Sequence, residues 1–261
     1  MVKAQLFLLA VAFPVFAQQP FYTDDTDVAD FRKWHLEVTN QFSILQKNAF
    51  PNLRQSTNVF HASYGLMKHV EIGVDGPLIT LFNAPGEGLE QRPTGLGDLN
   101  LSAKWNFREE KNDSRLPAMT LGCALESPTG SVERQLGTGL ADFGCGFITQ
   151  KHLTPKVILR TNNDLQFSGN ALTGVVGLQS TGFVYFVGVS VTRDITEKLT
   201  LGVEFNAAAA QFNELSKTAL QTQGAGKWQF SERYGLDFGV LIGRYSGSPR
   251  LGLQLGMTID F

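Results

Sequence analysis

The chain has 261 residues and a formal net charge of −2, with 22 Lys and Arg against 24 Asp and Glu, so nothing in its charge balance points to nucleic acid. It holds 27 Gly and 20 Phe but only 18% charged residues, which suits strands and turns better than long polar-faced helices. Near-neutral mean hydropathy excludes a bundle of membrane helices, but not a fold that alternates apolar with polar residues.

Residues 1–17 read as an export signal. Lys3 supplies the positive start, Leu6 to Phe16 form an apolar core of about eleven residues, and Val15-Phe16-Ala17 places cleavage between Ala17 and Gln18. That core falls short of the roughly 20 residues a spanning helix needs, and no later stretch is long enough. If the exported chain spans a membrane, it does so with strands. Residues 18–33 follow as a periplasmic or plug-like segment. Here Asp24, Asp25 and Asp27 lack the Gly turn and distal Glu of a calcium loop, so no metal site is expected. They read as a solvated acidic tail or as part of an N-terminal segment entering a barrel mouth.

From residue 34 to 261 the chain alternates with period two. Trp34, Leu36, Val38, Phe42 and Ile44 oppose His35, Glu37, Thr39, Gln41 and Ser43. Leu99, Leu101, Ala103, Trp105 and Phe107 oppose Asp98, Asn100, Ser102, Lys104 and Asn106. Leu199, Leu201, Val203, Phe205 and Ala207 oppose Thr200, Gly202, Glu204 and Asn206. At the end, Leu251, Leu253, Leu255, Met257, Ile259 and Phe261 oppose Gly252, Gln254, Gly256, Thr258 and Asp260. Further strands are predicted around 57–66, 69–82, 117–127, 139–151, 156–167, 181–193, 217–230 and 234–245. The sum is an all-β, closed antiparallel transmembrane barrel of about twelve strands. Two segments fit poorly: 156–167 sends Thr161 and Asn163 towards lipid, and 217–230 is poor in apolar residues before Trp228.

Connections test this phasing. Met67-Lys68, Lys151 to Pro155, Arg193 to Glu197 and Ser231 to Tyr234 are short and polar, as periplasmic turns should be. The stretches 45–56, 83–97, 128–138 and 168–180 are longer and richer in Gly and Pro, as outer loops should be. Gly95-Leu96-Gly97 is no phosphate loop, because no helix follows it. Arg108 to Leu116 breaks the rule, being long and charged on the periplasmic side. Trp34, Tyr64, Trp105, Phe107, Trp228, Phe230 and Phe261 fall at one level and read as an aromatic girdle. Cys123 and Cys145 both phase outwards across one hairpin, within reach of a disulfide in an exported protein.

Several stretches resemble a known family. Gln19-Pro20-Phe21-Tyr22-Thr23-Asp24-Asp25 with Trp34-His35-Leu36-Glu37 resembles its opening motif. Gly97-Asp98-Leu99-Asn100-Leu101-Ser102-Ala103-Lys104-Trp105-Asn106-Phe107 is similar to its GDL strand, with Trp105 where the family usually has Tyr. Leu116-Pro117-Ala118 and Glu126-Ser127-Pro128-Thr129-Gly130 are similar to its LPA…PTG hairpin. The family is that of the outer-membrane transport proteins named for a MetA pathway of phenol degradation. The resemblance implies a barrel that admits aromatic or other hydrophobic compounds.

A barrel of about twelve strands tilted near 40° has a backbone diameter of roughly 24 Å, room for a narrow passage. The predicted lumen positions include Glu37, Glu71, Asp98, Lys104, Arg160, Asp164, Glu204, Lys227 and Asp237. Their mixed signs favour charges that pair across strands over a selectivity ladder. Val184 and Phe186 add an apolar lumen patch, a greasy track or a locally packed wall. The expected function is passage of small, weakly polar or aromatic solutes across the cell outer membrane, with no cofactor. Expected partners are outer-membrane lipid, the solute, and the barrel-assembly machinery through the strand ending at Phe261. A structural or adhesive barrel is the alternative. A barrel lipid hydrolase, the remaining reading, needs a Ser–His pair on the lipid-facing wall, and none shows matching spacing.

Overall fold

The computed structural model describes residues 20–47, 52–83, 90–111, 114–168, 182–210, 218–245 and 247–260. The expected signal at 1–17 and the girdle residue Phe261 lie outside them. The strands are β1 (Trp34–Ile44), β2 (Arg54–Met67), β3 (Val70–Phe82), β4 (Thr94–Leu96), β5 (Leu99–Arg108), β6 (Ala118–Ser127) and β7 (Asp142–Thr154). They continue as β8 (Val157–Ser168), β9 (Gly182–Asp194), β10 (Leu199–Ala210), β11 (Ala219–Gln229), β12 (Tyr234–Arg244) and β13 (Leu251–Asp260). Neighbouring strands run antiparallel, and β1 closes onto β13 from His35↔Asp260 to Ile44↔Leu251. β4 and β5 both pair with β3, so they form one interrupted stave of a closed 12-strand barrel. Closure leaves no sheet edge, the condition for strands to cross lipid.

The alternation decides which face meets what. On β13, Leu251, Leu253, Leu255 and Met257 are exposed while Gln254 and Thr258 are buried. The same holds around the wall, giving a continuous apolar outer band that a bilayer covers. The two poorly fitting segments are both barrel strands, for different reasons. On β8, Thr161 shares a hydrogen bond with Thr149 Oγ1 at 2.8 Å, and Asn163 accepts one from the Tyr185 hydroxyl at 2.9 Å. The polar groups facing lipid are thus satisfied within the wall. On β11 the middle of the outward face is Thr222, Gly224 and Gly226, and Gly226 is covered by the Leu201 side chain and the Phe238 ring.

Cys123 and Cys145 are registered opposite each other on β6 and β7 and form a disulfide, with Cα atoms 4.1 Å apart. Rings collect at the short-turn end of the barrel. Trp34 and Tyr64 lie 4.9 Å apart, Trp105 and Phe107 5.7 Å, and Trp228 and Phe230 6.1 Å. Phe230 also stacks on Tyr234.

Two connections differ from the sequence reading. Thr94–Leu96, placed in an outer loop, returns to the barrel and pairs with β3. Lys151 and His152, placed in a turn, extend β7 and pair with Leu159 and Ile158. The charged connection after β5 supplies the reason: Glu110 accepts from Lys151 Nζ at 2.5 Å, His152 N at 3.0 Å and His152 Nδ1 at 2.8 Å. Burial pushes the Glu110 carboxyl up, but these hydrogen bonds outweigh it and hold the group at about 2. The long turn that broke the length rule is therefore stapled to its neighbour.

At the other end, the segment after β6 folds inwards. Asp98, at the break between β4 and β5, accepts from Gly130 N at 2.8 Å and Thr138 N at 3.0 Å. Leu136 is thereby packed against Leu53, Ile79 and Leu81, with Leu45 beside them.

Candidate functional site in the lumen

The inward residues of β9, β10 and β11 form rows, because antiparallel register sets every second residue side by side. From the long-loop end, Phe186, Ala208 and Ala219 make the first row. Gly188, Asn206 and Gln221 make the second, and Ser190, Glu204 and Gln223 the third. Thr192, Gly202 and Ala225 make the fourth, and Asp194, Thr200 and Lys227 the fifth. Rows are about 6.6 Å apart along the strand. The wall therefore grades from apolar through amides and one carboxylate to small residues and then charges. Val184 packs with Ala208, Ala219 and Phe186 at the apolar end.

The N-terminal segment runs down the lumen beside this wall. Pro20, Phe21, Thr23, Asp24, Asp25 and Thr26 are buried. Tyr22 N and Thr23 N donate to the two carboxylate oxygens of Glu204 at 3.0 and 2.5 Å. Gln223 Nε2 donates to Pro20 O at 2.5 Å, and the Tyr22 hydroxyl donates to Gln41. Gln223 also donates to Gln254, and Gln254 Nε2 to Gln41 at 3.2 Å, so three amides form a belt around the tip.

The lower half of the segment is held by other strands. Lys104 Nζ lies 3.0 Å from Asp24 Oδ1 and 3.6 Å from Asp25 Oδ1. In the orientation that satisfies its neighbours, the Asn162 amide pairs with both Asp24 N and Asp24 O at 3.2 Å. Thr26 O accepts from Asn106 Nδ2 at 2.7 Å and Thr120 Oγ1 at 2.8 Å, and Ala29 N donates to Glu71 at 2.6 Å. At the exit Phe31 makes a parallel bridge to Gly65, where a Cβ would come within 2.0 Å of Asp30 O. Only glycine lets the two backbones approach so closely there. Of the two readings of the acidic cluster, the segment entering the barrel describes Asp24 and Asp25, whereas Asp27 is exposed.

The sequence-derived lumen residues divide by task. Lys104, Glu71 and Glu204 grip the N-terminal segment instead of pairing strand to strand. Asp98 holds the inward loop. Glu37 accepts from His35 at 2.9 Å, Arg160 donates to Gln150 at 2.7 Å and Thr192 at 3.1 Å, and Asp237 accepts from Thr258 at 2.8 Å. Lys227 is registered opposite Asp237. Asp164 is buried across Gly146, where an added Cβ would meet its carboxylate. Val184 is buried and Phe186 half-buried. Sequence reasoning missed the row of Thr192, Gly202 and Ala225. Its only signal is a run of small inward residues.

The barrel also gathers His61, Asp75 and Ser102 around Gly73. His61 Nδ1 is 2.5 Å from Asp75 Oδ1, and His61 Cε1 and Ser102 Oγ would both crowd a Cβ at Gly73. Among the described residues no hydrogen bond joins Ser102 to His61, whose Nδ1 is taken by Asp75.

No family model and no curated protein sequence matches this chain. Solved structures do match its fold. The COG4313 outer membrane channel from Pseudomonas putida F1 superposes with a TM-score of 0.67 at 14% identity, covering 91% of this chain and 98% of that one. The NanC porin superposes with a TM-score of 0.59 at 10% identity, covering 87% and 100%. The CymD monoaromatic hydrocarbon channel gives 0.51 at 8% identity, covering 89% of each chain.

Proposed function

We propose that the protein is an outer-membrane channel for small, weakly polar or aromatic solutes, with the N-terminal segment closing its lumen at rest. On this reading residues 1–17 are removed during export, the short-turn end faces the periplasm, and the strand ending at Phe261 engages the assembly machinery. The observation that carries it is the graded wall of β9–β11. An apolar patch of Val184, Phe186, Ala208 and Ala219 leads inwards to buried amides and Glu204. Apolar surroundings with a few placed polar groups are what small-molecule sites offer. Charges that grip a peptide segment, rather than line an open path, argue against a general pore for ions. The resemblance to barrels linked with phenol degradation and the likeness to a channel named for monoaromatic hydrocarbons support the same solute class.

Liposome swelling and planar-bilayer recording with phenols, fatty acids and sugars test the proposal. Passage of phenols in preference to sugars is expected. A filled lumen also suits a structural barrel, and that reading takes over if the purified protein passes none of the panel.

A further inference from the structure

The tip of the N-terminal segment sits in the lumen as a ligand would. The Phe21 ring lies over Gly202, where an added Cβ would come 2.8 Å from its edge. Thr192 and Ala225 flank that seat in register. One row away, the Glu204 carboxylate accepts the two consecutive N–H groups of Tyr22 and Thr23. The polar groups around the tip are only partly matched, the hydroxyl of Thr23 among them. Asn206 Oδ1, Gln221 Oε1 and Gln223 Oε1 have no partner among the described residues. These acceptors line the same rows as the seat and offer a solute further polar contacts.

The tip is also separable from the rest of the segment. Residues from Asp24 onwards have their own anchors in Lys104, Asn162, Thr120, Glu71 and Gly65. Leaving the seat breaks none of those contacts.

We propose that Phe21–Thr23 is a tethered surrogate ligand, and that the seat over Gly202 beside Glu204 is the solute subsite, taking an aromatic ring that carries hydrogen-bond donors. This rests on the channel reading above and narrows its solute class. A phenol or an arylalkylamine replaces both elements of the tip, its ring on Gly202 and its donor on Glu204. Toluene fills the seat but leaves Glu204 with the Asn206 amide on Oε1 and no donor on Oε2, and an under-satisfied buried acceptor discriminates strongly.

The test uses the full mature chain in micelles, with phenol, benzylamine and toluene as probes in calorimetric titrations. If the tip fills the seat nine-tenths of the time, Phe21→Ala tightens phenol binding about tenfold. Glu204→Gln reduces the preference for phenol over toluene by about tenfold, the worth of a hydrogen bond to a charged group. A 4-fluorophenylalanine at position 21 should give a second, solvated ¹⁹F resonance as phenol saturates. Unchanged phenol affinity in Phe21→Ala, or a fluorine signal that does not move, overturns the proposal. If either occurs while liposomes still pass the panel, the channel reading survives without this subsite. If phenol displaces the tip and nothing crosses, the subsite stands and the channel reading falls.

Discussion

The two sides of the lumen treat the same peptide segment differently. The β3–β6 side, with Asn162 of β8, holds residues 24–29 by a buried lysine, two amides, a hydroxyl and a carboxylate. The β9–β11 side holds residues 20–23 by one carboxylate, one amide and a glycine seat. One side fixes charge against charge. The other offers a graded surface with a single carboxylate and a ring seat, which suits an exchangeable occupant. On the reading proposed above, an anchor and a receptor are built into one barrel by residues that alternate along neighbouring strands.

Several perturbations can break or sharpen this contrast. Deleting residues 20–26 removes what both sides hold, and bilayer conductance should rise severalfold. A barrel that stays closed would show that the inward loop around Leu136, not the segment, is the seal. Lys104→Ala acts on the anchor alone. Lys104 and Asp24 are almost fully buried, and stripping one partner from such a pair costs about 3 kcal/mol. The segment should then lift away, and Val28→Cys in that background should react faster with a thiol reagent than Val28→Cys alone. Equal rates would mean that the amides suffice.

Removing the disulfide by Cys123→Ala with Cys145→Ala acts on the outer wall, away from both. For a sequence separation of 22, chain entropy sets the loss at about 3 kcal/mol at most. The change should appear as easier unfolding in denaturant, with conductance and phenol affinity unaltered. Altered conductance would tie the outer wall to the gate. The smallest effect concerns Glu110. Its carboxyl is lowered from 4.5 to about 2, so the staple is fully present above about pH 4.5 and lost as pH falls through 2. Hydrogen exchange at His152 N should rise over that window and stay flat in Glu110→Gln.

The barrel was legible because period two is a local signal. Leu251 to Asp260 declares its outer and inner faces residue by residue, and the facing cysteines follow from register. The misread pieces involve partners distant in sequence. Lys151 reads as a turn residue until Glu110, from another connection, meets its ammonium group. Thr94–Leu96 reads as loop because its pairing with β3 lies beyond a break that Pro77 and Asp98 create. Pro77 has no N–H to donate and instead accepts from Gly97 N at 2.8 Å. The lumen charges were found from phasing, but not their occupant: Asp24 and Asp25 look like any solvated acidic pair. The seat was least visible, since a glycine marks it by the side chain it lacks.

The bridge between Phe31 and Gly65 has a kinetic consequence. Even with every contact from Asp24 to Ala29 let go, ten residues separate Phe31 from Phe21, so the tip can travel no more than about 35 Å from this last tether. Confinement to that radius keeps it at an effective concentration in the millimolar range. Any solute in the seat faces a competitor that never diffuses away, at a concentration no change in the medium can dilute. On the reading proposed above, the seat is therefore less occupied at any solute concentration than it would be without the tip.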